Sequence, residues 1–260
     1  MQLAEKVALI TGAGSGIAKA TSLLLAAEGV KVAALGRSDE ELKQTVEEIQ
    51  AKGGESMPVV ADISQPEQMQ QAIQKIEQQW GRLDIVFANA GVNGVWAPLE
   101  ELTPEDWDKT LSVNLKGTFL TVKYAVPLLK RQGGSVVITS SVNGNRIFSN
   151  TGATAYSCSK AAQVAFAKMV ALELAEHKIR VNVICPGAIA TNIDKNTDRR
   201  NLEHIQEPVE FPEGRIPLTD GKPGTSEQVA QLVLFLASDM SRHITGTEVW
   251  IDGGESLLQG

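Results

Sequence analysis

"TGAGSGIA", residues 11–18, lies between the apolar run KVALIT and a segment whose pattern predicts a helix from about Gly16 to Glu28. Glycines at such a junction let the backbone turn sharply and approach a pyrophosphate at the N-terminus of the helix. A Walker loop is excluded because Ala18 precedes Lys19 and alanine follows it, and Ile17 stands where a literal Gly-x-Gly-x-x-Gly pattern needs glycine. The glycines alone leave a nucleotide-binding loop and a structural turn open, but the position directly after the first strand favours nucleotide binding.

Apolar, β-branched runs alternate with longer helical patterns along almost the whole chain of 260 residues. Strands that are apolar throughout are typical of a parallel sheet covered by helices on both faces, and repeated β-α units give a doubly wound sheet. The sequence therefore predicts a single α/β domain over residues 1–260, a Rossmann-type doubly wound parallel sheet of about seven strands. Its helices are predicted after the first strand and over residues 39–52, 66–80, 104–129, 154–176 and 226–237.

Two segments stand out within this pattern. Ser38 followed by Glu41 predicts a capping box at the start of the second helix. Residues 191–225 form a long irregular segment, rich in charged residues and glycine and interrupted by four prolines. A connection of that length in a compact domain is usually a functional lid or a disordered stretch. We expect residues 191–225 to be a substrate lid loop that becomes ordered over bound cofactor and substrate.

Composition excludes several classes of function. A net charge of −7 argues against a general nucleic-acid binder, which needs a basic face to neutralise phosphates. We see no signal peptide, and no apolar run reaches the roughly 18–20 residues of a membrane span. Two cysteines and three scattered histidines provide neither a disulfide framework nor a metal site. We expect a cytoplasmic protein without a metal.

The segment TAYSCSKAA, residues 154–162, places Tyr156 and Lys160 four residues apart, on one face of a predicted helix. One interpretation is an amphipathic pair with a weak cation–π contact. The other is an acid–base pair, since a fixed cation lowers the pKa of a tyrosine from its usual value of about 10. The pair alone does not decide between them.

The chain resembles the short-chain dehydrogenase/reductase family. TGAGSGIA is similar to the family's glycine turn, with Ala18 in place of its last glycine, and NAG at residues 89–91 ends the fourth strand as the family's motif does. Asn114 matches the helix asparagine, Ser141 the serine after the fifth strand, and Tyr156-x-x-x-Lys160 the catalytic pair. PGAIAT at residues 186–191 and the final ITGTEVWIDGG complete the match.

Two departures from the family's pattern affect the expectations. Ala18 adds one methyl group where the helix packs on the sheet, so we expect cofactor binding to survive. Ser141 precedes Tyr156 by fifteen residues, about two more than the family's common spacing, and the loop between them can absorb the difference. Ser140 is the rival for the serine position, but alignment on the end of the strand favours Ser141.

The resemblance implies a catalytic set of Ser141, Tyr156, Lys160 and Asn114. Tyr156 would donate a proton to a carbonyl during reduction and accept one from an alcohol during oxidation. Lys160 would lower the pKa of the tyrosine and bind the nicotinamide ribose, and Ser141 would hold the substrate oxygen. Asn114 would hold a water that links Lys160 to solvent, although a locally satisfied helix asparagine is the alternative.

The resemblance also implies a nicotinamide cofactor. Asp62 would accept from the adenine amino group, unless it is an ordinary turn aspartate, and Thr191 would contact the carboxamide. The implied cofactor-binding residues are Gly12, Ser15, Gly16, Ile17, Arg37, Asp62, Ile63, Asn89, Gly91, Tyr156, Lys160, Pro186, Gly187, Ile189 and Thr191.

We predict a preference for NADP(H), with NAD(H) also possible. NAD specificity normally uses an acidic residue at the end of the second strand, where this chain has Gly36. Arg37 follows and could pair with a 2′-phosphate, although an arginine here can also lie over the adenine. Asp39 suits a helix cap better than a ribose contact.

These motifs predict an NAD(P)(H)-dependent oxidoreductase that interconverts a carbonyl and a secondary alcohol. A catalytically silent dinucleotide sensor is the alternative, but it would be expected to lack Tyr156, Lys160 or Ser141. An epimerase or dehydratase of the extended group is a further alternative, and those enzymes usually carry an additional C-terminal substrate region.

The substrate is expected to be a small molecule bound by residues 92–99, 143–148 and the lid. In these segments Trp96 and Phe148 indicate an apolar wall, whereas Arg146, Arg199 and Arg200 are either anion ligands or solvated surface groups. By resemblance we expect a homodimer or homotetramer built through the two long helices.

Overall fold

A computed structural model of the chain describes residues 3–191, 193–205 and 216–259. Residue 192 and residues 206–215 of the predicted lid loop therefore lie outside the described residues. The nine strands in the described ranges are β1 (Val7–Thr11), β2 (Lys31–Gly36), β3 (Ser56–Val60), β4 (Ile85–Ala88), β5 (Gly94–Trp96), β6 (Gly134–Thr139), β7 (Ile179–Pro186), β8 (Thr197–Arg199) and β9 (Glu248–Ile251).

Seven of these strands form one parallel sheet in the order β3-β2-β1-β4-β6-β7-β9. In the centre of the sheet, Ile10 of β1 pairs with Ala34 on one side and Phe87 on the other. The chain runs outward from β1 to β3 and then returns to the other side of β1 to begin β4. Because the strand order reverses between β1 and β4, a crevice opens at the carboxyl ends of these two strands, where ligands bind in sheets of this kind. The predicted doubly wound parallel sheet is confirmed.

Helices cover both faces of the sheet. Leu9 packs into an apolar cluster with Leu120 and Val164, whereas its neighbour Ile10 packs into a second cluster with Leu25 and Val233 on the opposite face. Both faces are apolar because successive strand residues point to opposite sides. The helices are α1 (Gly16–Ala27), α2 (Asp39–Ala51), α3 (Pro66–Trp80), α4 (Pro104–Leu111), α5 (Gly117–Leu129), α6 (Thr154–Leu174), α7 (Ser226–Ala237) and α8 (Glu255–Gln259).

The helix predicted over residues 104–129 is interrupted. Residues Ser112–Lys116 form a π-helical turn between α4 and α5, and this turn carries Asn114. Such turns insert one extra residue into a helix and often occur at functional sites. No spacing of apolar residues in the sequence distinguishes the π turn from continuous helix.

The predicted capping box at α2 forms only in part. The Ser38 hydroxyl accepts a hydrogen bond from the Glu41 amide at 3.3 Å, but the Glu41 side chain turns toward the glycine turn instead of bonding back to Ser38. A complete box forms at α7, where Thr225 accepts from the Gln228 amide and the Gln228 side chain accepts from the Thr225 amide. Of the two hydrogen bonds of the capping box predicted at α2, only the one accepted by Ser38 is therefore present.

A small parallel sheet of β5 and β8 lies outside the main sheet. Gly94 pairs with Thr197 and Trp96 with Arg199, so the described part of the predicted lid segment is tied to the loop after β4. Three-residue strands with no apolar alternation carry almost no sequence signal, so neither strand was predicted.

Three further features concern membrane spans, metal-ligating groups and cysteines. No helix in the described ranges is long and apolar enough to cross a membrane. Within the same ranges no group of three or more His, Cys, Asp or Glu side chains is arranged to hold a metal ion. Cys158 is exposed and Cys185 is buried, and both are free thiols.

Asp84 joins β1 to the start of β4. Its carboxylate accepts from the Val7 amide at 2.9 Å and receives two hydrogen bonds from the Arg82 guanidinium, while only 5% of the residue is exposed. We expect Asp84→Ala to lower the free energy of unfolding by about 1.5–3 kcal/mol, since a buried amide and the guanidinium lose a charged partner. Asp239→Ala is the control, because that side chain is 82% exposed and lies 3.9 Å from Lys6. Urea denaturation of both variants measures the difference. Equal midpoints for the two variants would contradict this role of Asp84.

Candidate active site

A cleft of about 870 Å³ follows the carboxyl ends of six strands of the main sheet. With the exception of Asn114, the described structure brings all of the predicted site residues into its wall. These residues are Gly12, Ser15, Gly16, Ile17, Arg37, Asp62, Ile63, Asn89, Gly91, Ser141, Tyr156, Lys160, Pro186, Gly187, Ile189 and Thr191.

The glycine turn has a shape that fits a dinucleotide. Gly12 and Gly16 have φ angles of +76° and +54°, which favour glycine. A Cβ on Gly12 would lie 3.2 Å from the Ala90 backbone, and one on Gly14 would lie 2.8 Å from the Glu41 side chain. The Ser15 side chain makes no capping hydrogen bond, so the first N–H groups of α1 are left for a ligand. A 12-residue helix whose N-terminus opens into a cleft is a suitable site for a pyrophosphate.

Side-chain hydroxyl groups connect the ends of the central strands. The Thr11 hydroxyl accepts from the amides of Asn89 and Ala90 at 3.0 and 3.1 Å. The Thr139 hydroxyl donates to the Asn89 side-chain oxygen at 3.0 Å. The turn after β4 is therefore fixed to both β1 and β6, and neither threonine is among the predicted site residues.

Tyr156 and Ser141 meet at the floor of the cleft. The phenol of Tyr156 and the hydroxyl of Ser141 are hydrogen-bonded, and both residues are buried. Ser140, the rival for the serine position, instead donates its hydroxyl to the Lys160 carbonyl at 2.7 Å. The geometry thus places Ser141, and not Ser140, next to the tyrosine.

Burial determines the protonation of both ionisable groups. It raises the pKa of the Tyr156 phenol, and the hydrogen bond with Ser141 lowers it by less. Burial also lowers the pKa of Lys160 to about 8. The Lys160 ammonium donates to the Thr139 carbonyl at 2.9 Å and lies 5.5 Å from the centre of the Tyr156 ring. The net pKa of Tyr156 is therefore raised and not lowered as predicted, because the loss of water around the phenol has the largest effect.

Asn114 lies behind the cleft wall and is completely buried. Its side-chain oxygen accepts from the Val92 amide at 2.8 Å, and its amide nitrogen donates to the Val92 carbonyl and the Ser159 hydroxyl. Its backbone carbonyl accepts from the Gln163 and Thr118 side chains. These partners lie on three different elements, so the alternative of a locally satisfied helix asparagine does not describe it.

The end of the cleft beyond β2 and β3 carries the predicted adenosine contacts. Arg37 is exposed and forms no ion pair with the described residues. Asp39 pairs with Lys43 at 2.6 Å within α2, as expected for a residue at a helix start. One oxygen of Asp62 accepts from the amide and hydroxyl of Ser64, which leaves the other without a partner in the described part of the chain.

Two acidic residues that were not predicted as site residues line the cleft. Glu41 lies against Gly14, and Glu255 of α8 accepts from the Ala188 amide at 2.9 Å. Neither stands in a recognisable motif. Their positions depend on how α2 and α8 pack against the strand ends, which the sequence pattern does not determine.

The three arginines considered as anion ligands are absent from the described wall of the cleft. Arg200 pairs with Asp106 and Asp198. The Arg146 guanidinium stacks 3.8 Å from the centre of the Trp250 ring, and that of Arg199 lies 5.5 Å from the Trp96 ring. Phe148 is 72% exposed and likewise is not part of the wall.

Comparison with known proteins finds relatives that match almost the whole chain. A family model described as enoyl-(acyl carrier protein) reductase matches residues 12–256. The chain is 42% identical over 255 residues to the 3-oxoacyl-[acyl-carrier-protein] reductase FabG of Thermotoga maritima, covering 98% of this chain and 99% of that protein. It is 35% identical over 256 residues to levodione reductase of Leifsonia aquatica, with coverages of 97% and 94%.

Solved structures agree with the sequence relatives. The crystal structure of a 3-ketoacyl-ACP reductase from Sinorhizobium meliloti 1021 has a TM-score of 0.94 and 55% identity, and the match covers 97% of this chain and 99% of that one. A short-chain type dehydrogenase/reductase from Mycobacterium marinum has a TM-score of 0.86 and 34% identity, with coverages of 98% and 96%. The chain therefore belongs to the short-chain dehydrogenase/reductase family and is an NAD(P)-dependent oxidoreductase.

Proposed function

We propose that the chain interconverts a carbonyl and a secondary alcohol with Tyr156 as the group that transfers the proton. The observation that carries this proposal is the buried set in one cleft: the Tyr156 phenol bonded to Ser141, with the Lys160 ammonium 5.5 Å from the phenol ring. A silent sensor would not need this set.

When bound, the nicotinamide cofactor supplies or accepts the hydride. The glycine turn and the N-terminus of α1 would hold its pyrophosphate, and Asn89 and Gly91 would line the ribose side. Residues 186–191, after β7, would contact the nicotinamide, held in part by the bond from Ala188 to Glu255. The remaining chemistry is that of the chain's own proton donors.

Tyr156 is a suitable proton donor in the reducing direction. A phenol whose pKa is raised by burial is protonated at neutral pH, and it can donate to an oxygen that Ser141 holds beside it. The nearby Lys160 cation stabilises the phenolate that remains. In the oxidising direction the same phenolate accepts the proton of the alcohol.

Asn114 is proposed to support the return of protons to this set. A Cβ on Gly91 would lie 3.1 Å from the Asn114 side-chain oxygen and 3.7 Å from the Lys160 ammonium. The space beside Gly91 is thus bordered by an acceptor and a donor, an arrangement that suits a bridging water. That water would link Lys160 to solvent, as the resemblance implied.

NADP(H) is proposed as the preferred cofactor. No acidic residue stands at the end of β2, and Arg37, which forms no ion pair with the described residues, could pair with a 2′-phosphate. Asp39 is engaged by Lys43, which supports its role as a residue of the helix start. The negative charge of the Glu41 carboxylate beside Gly14 would repel a nearby phosphate, so the preference for NADP(H) is expected to be moderate.

A homodimer or homotetramer and a cytoplasmic location are also proposed. Phe119 on α5 and Met169 and Leu172 on α6 are exposed, which supports association through these two helices. The two free thiols are consistent with a reducing compartment, and burial raises the pKa of the Cys185 thiol to about 12, so it stays protonated.

Replacing the tyrosine tests the proton donor. Tyr156→Phe is expected to lower kcat by about 10²–10⁴-fold, because the phenol oxygen is removed while the ring stays. Melting temperature and cofactor binding, followed by nicotinamide fluorescence, should change little. Tyr124→Phe on α5 is the matched control and should retain full turnover. Half of the wild-type turnover in Tyr156→Phe would overturn the assignment.

The pKa of Lys160 gives a prediction on stability. Its pKa is about 8 in the folded chain and near 10.5 when unfolded, so between these values the unfolded chain binds more protons and Lys160 makes the wild type more stable as pH rises. Lys160→Met lacks this contribution. Relative to wild type, the variant should lose about 2 kcal/mol of stability between pH 7.0 and 9.5.

Urea denaturation at the two pH values measures this difference. Lys168→Met is the control, since that lysine is half exposed and pairs with Glu248 at 2.6 Å. A relative stability of Lys160→Met that does not change with pH, as for the control, would contradict the lowered pKa.

Cofactor preference is tested at the end of β2. A Cβ on Gly36 would lie 3.3 Å from a Leu42 methyl group, so Gly36→Asp needs only a small adjustment. The wild type should favour NADP(H) in kcat/KM, and both Gly36→Asp and Arg37→Met should lower NADP(H) activity by roughly 10–100-fold, the effect of one charge-assisted contact. Glu41→Gln should raise the activity with NADP(H). A wild type that favours NAD(H), with no loss in Gly36→Asp, would show this proposal to be wrong.

A further inference from the structure

Four asparagine side chains line the cleft in the region beyond Tyr156 and Ser141, which we call the substrate side. They come from three separate segments: the loop after β4, the loop after β6, and the turn before β8. The four residues are Asn93, Asn143, Asn150 and Asn196. Amides from separate segments in one wall point to recognition of hydrogen-bonding groups.

The amides are held in place by their neighbours. Asn150 donates to the Asn143 side-chain oxygen at 2.6 Å, and the Asn143 backbone amide donates to the Ser141 hydroxyl at 3.1 Å. Asn93 donates to the Thr197 hydroxyl at 2.7 Å, next to Asn196 in the chain. One asparagine pair is therefore coupled to the reacting hydroxyl of Ser141, and the other is coupled to the small β5–β8 sheet.

Each asparagine keeps polar capacity for a ligand. The Asn143 amide nitrogen, the side-chain oxygens of Asn93 and Asn150, and the whole Asn196 amide have no hydrogen-bond partner among the described residues. Among the described residues, the only fully buried side-chain polar atom without a hydrogen-bond partner is the Gln163 oxygen, and Gln163 is not part of the cleft wall. These amide groups belong to residues of the cleft wall, where each can offer a donor or an acceptor to a ligand.

The rest of the substrate side is apolar or uncharged. Trp96, Val142 and Ile147 line it, and the Trp96 nitrogen donates to the Asn93 carbonyl at 3.3 Å, which fixes the ring. Among the described residues on this side the only charged side chains are Lys160 and Glu255. Among the described residues, an anionic substrate would therefore meet no cation other than Lys160.

We propose that the substrate is a neutral, polyhydroxylated compound, namely a sugar or a cyclic polyol; this inference rests on the proposed oxidoreductase function. A hydroxyl group both donates and accepts, which matches the two functions of an amide. The C–H face of a sugar ring packs on an aromatic ring, while its hydroxyl edge reaches polar groups. An apolar cyclic alcohol would instead desolvate the amides and leave them without partners.

Matched ring substrates test this proposal. The full-length chain is assayed with NADP⁺ and NAD⁺ on neutral aldoses and inositols, on cyclohexanol, which has the ring without the additional hydroxyls, and with NADPH and NADH on acetoacetyl-CoA. We expect at least one sugar or inositol to exceed cyclohexanol by about 100-fold or more in kcat/KM, because a site built to hydrogen-bond hydroxyls strongly rejects an analogue that lacks them. A higher kcat/KM for cyclohexanol or acetoacetyl-CoA overturns the substrate class and leaves the proposed function intact. No turnover of any of them, with cofactor bound, overturns the proposed function itself.

Variants separate recognition from folding. Asn93→Leu and Asn150→Leu should each lower kcat/KM for the preferred polyol about 10-fold, while the slow turnover of cyclohexanol changes less than about 3-fold. Gln71→Leu, at an exposed position on α3, is the control and should leave both unchanged. Binding is read separately, as the rise in melting temperature that the polyol causes in cofactor-loaded Tyr156→Phe. An equal loss for both substrates, or an undiminished rise when Asn93→Leu is added, overturns the role of the amides.

Discussion

A buried ammonium group needs a partner, and the side chain of Lys160, a residue only 3% exposed, finds one in the Thr139 carbonyl at 2.9 Å. The rest of the site depends on this arrangement. Burial makes the cation costly, as its pKa of about 8 indicates, and the low-polarity surroundings make its field on nearby groups stronger. A solvated lysine at the same distance from Tyr156 would have little effect on a phenolate.

The end of β6 supplies the partners for α6 from three consecutive residues. The Thr139 carbonyl accepts from the Lys160 ammonium, the Ser140 hydroxyl donates to the Lys160 carbonyl, and the Ser141 hydroxyl meets the Tyr156 phenol. Since the strand is fixed in a seven-stranded sheet, these three contacts set the position of the helix that carries the tyrosine. The position of the proposed proton donor is thereby set by the sheet.

The parts of the site that could be predicted from sequence are those whose signal is local. The glycine turn follows the first strand directly, and Tyr156 and Lys160 lie one helical turn apart. The strands were recognisable because a sheet buried on both faces needs apolar residues at every position. Resemblance supplied Ser141 and Asn114, and the choice of Ser141 over Ser140 agrees with the contacts of both hydroxyls.

What sequence reasoning missed arises from tertiary packing. The π turn around Asn114 depends on side-chain bonds to Val92 and Gln163, which are distant in sequence. Glu41 was expected to cap its own helix, but its carboxylate fills the space above Gly14. The direction of the Tyr156 pKa was also wrong, because the sequence shows a neighbouring cation but not the loss of water around the phenol.

The two parts of the cleft differ in what holds them. The proposed proton-transfer groups lie on strand ends and on α6, and other residues of these elements belong to the apolar clusters, which resist displacement. The asparagines lie on loops and on a two-stranded sheet of three residues each, whose bonds lie outside those clusters. Substitutions there change hydrogen-bonding groups without disturbing the sheet, so one proton-transfer framework can serve different alcohols. In this chain that wall carries amides, and the proposed substrate class is therefore inferred from Asn93, Asn143 and Asn150.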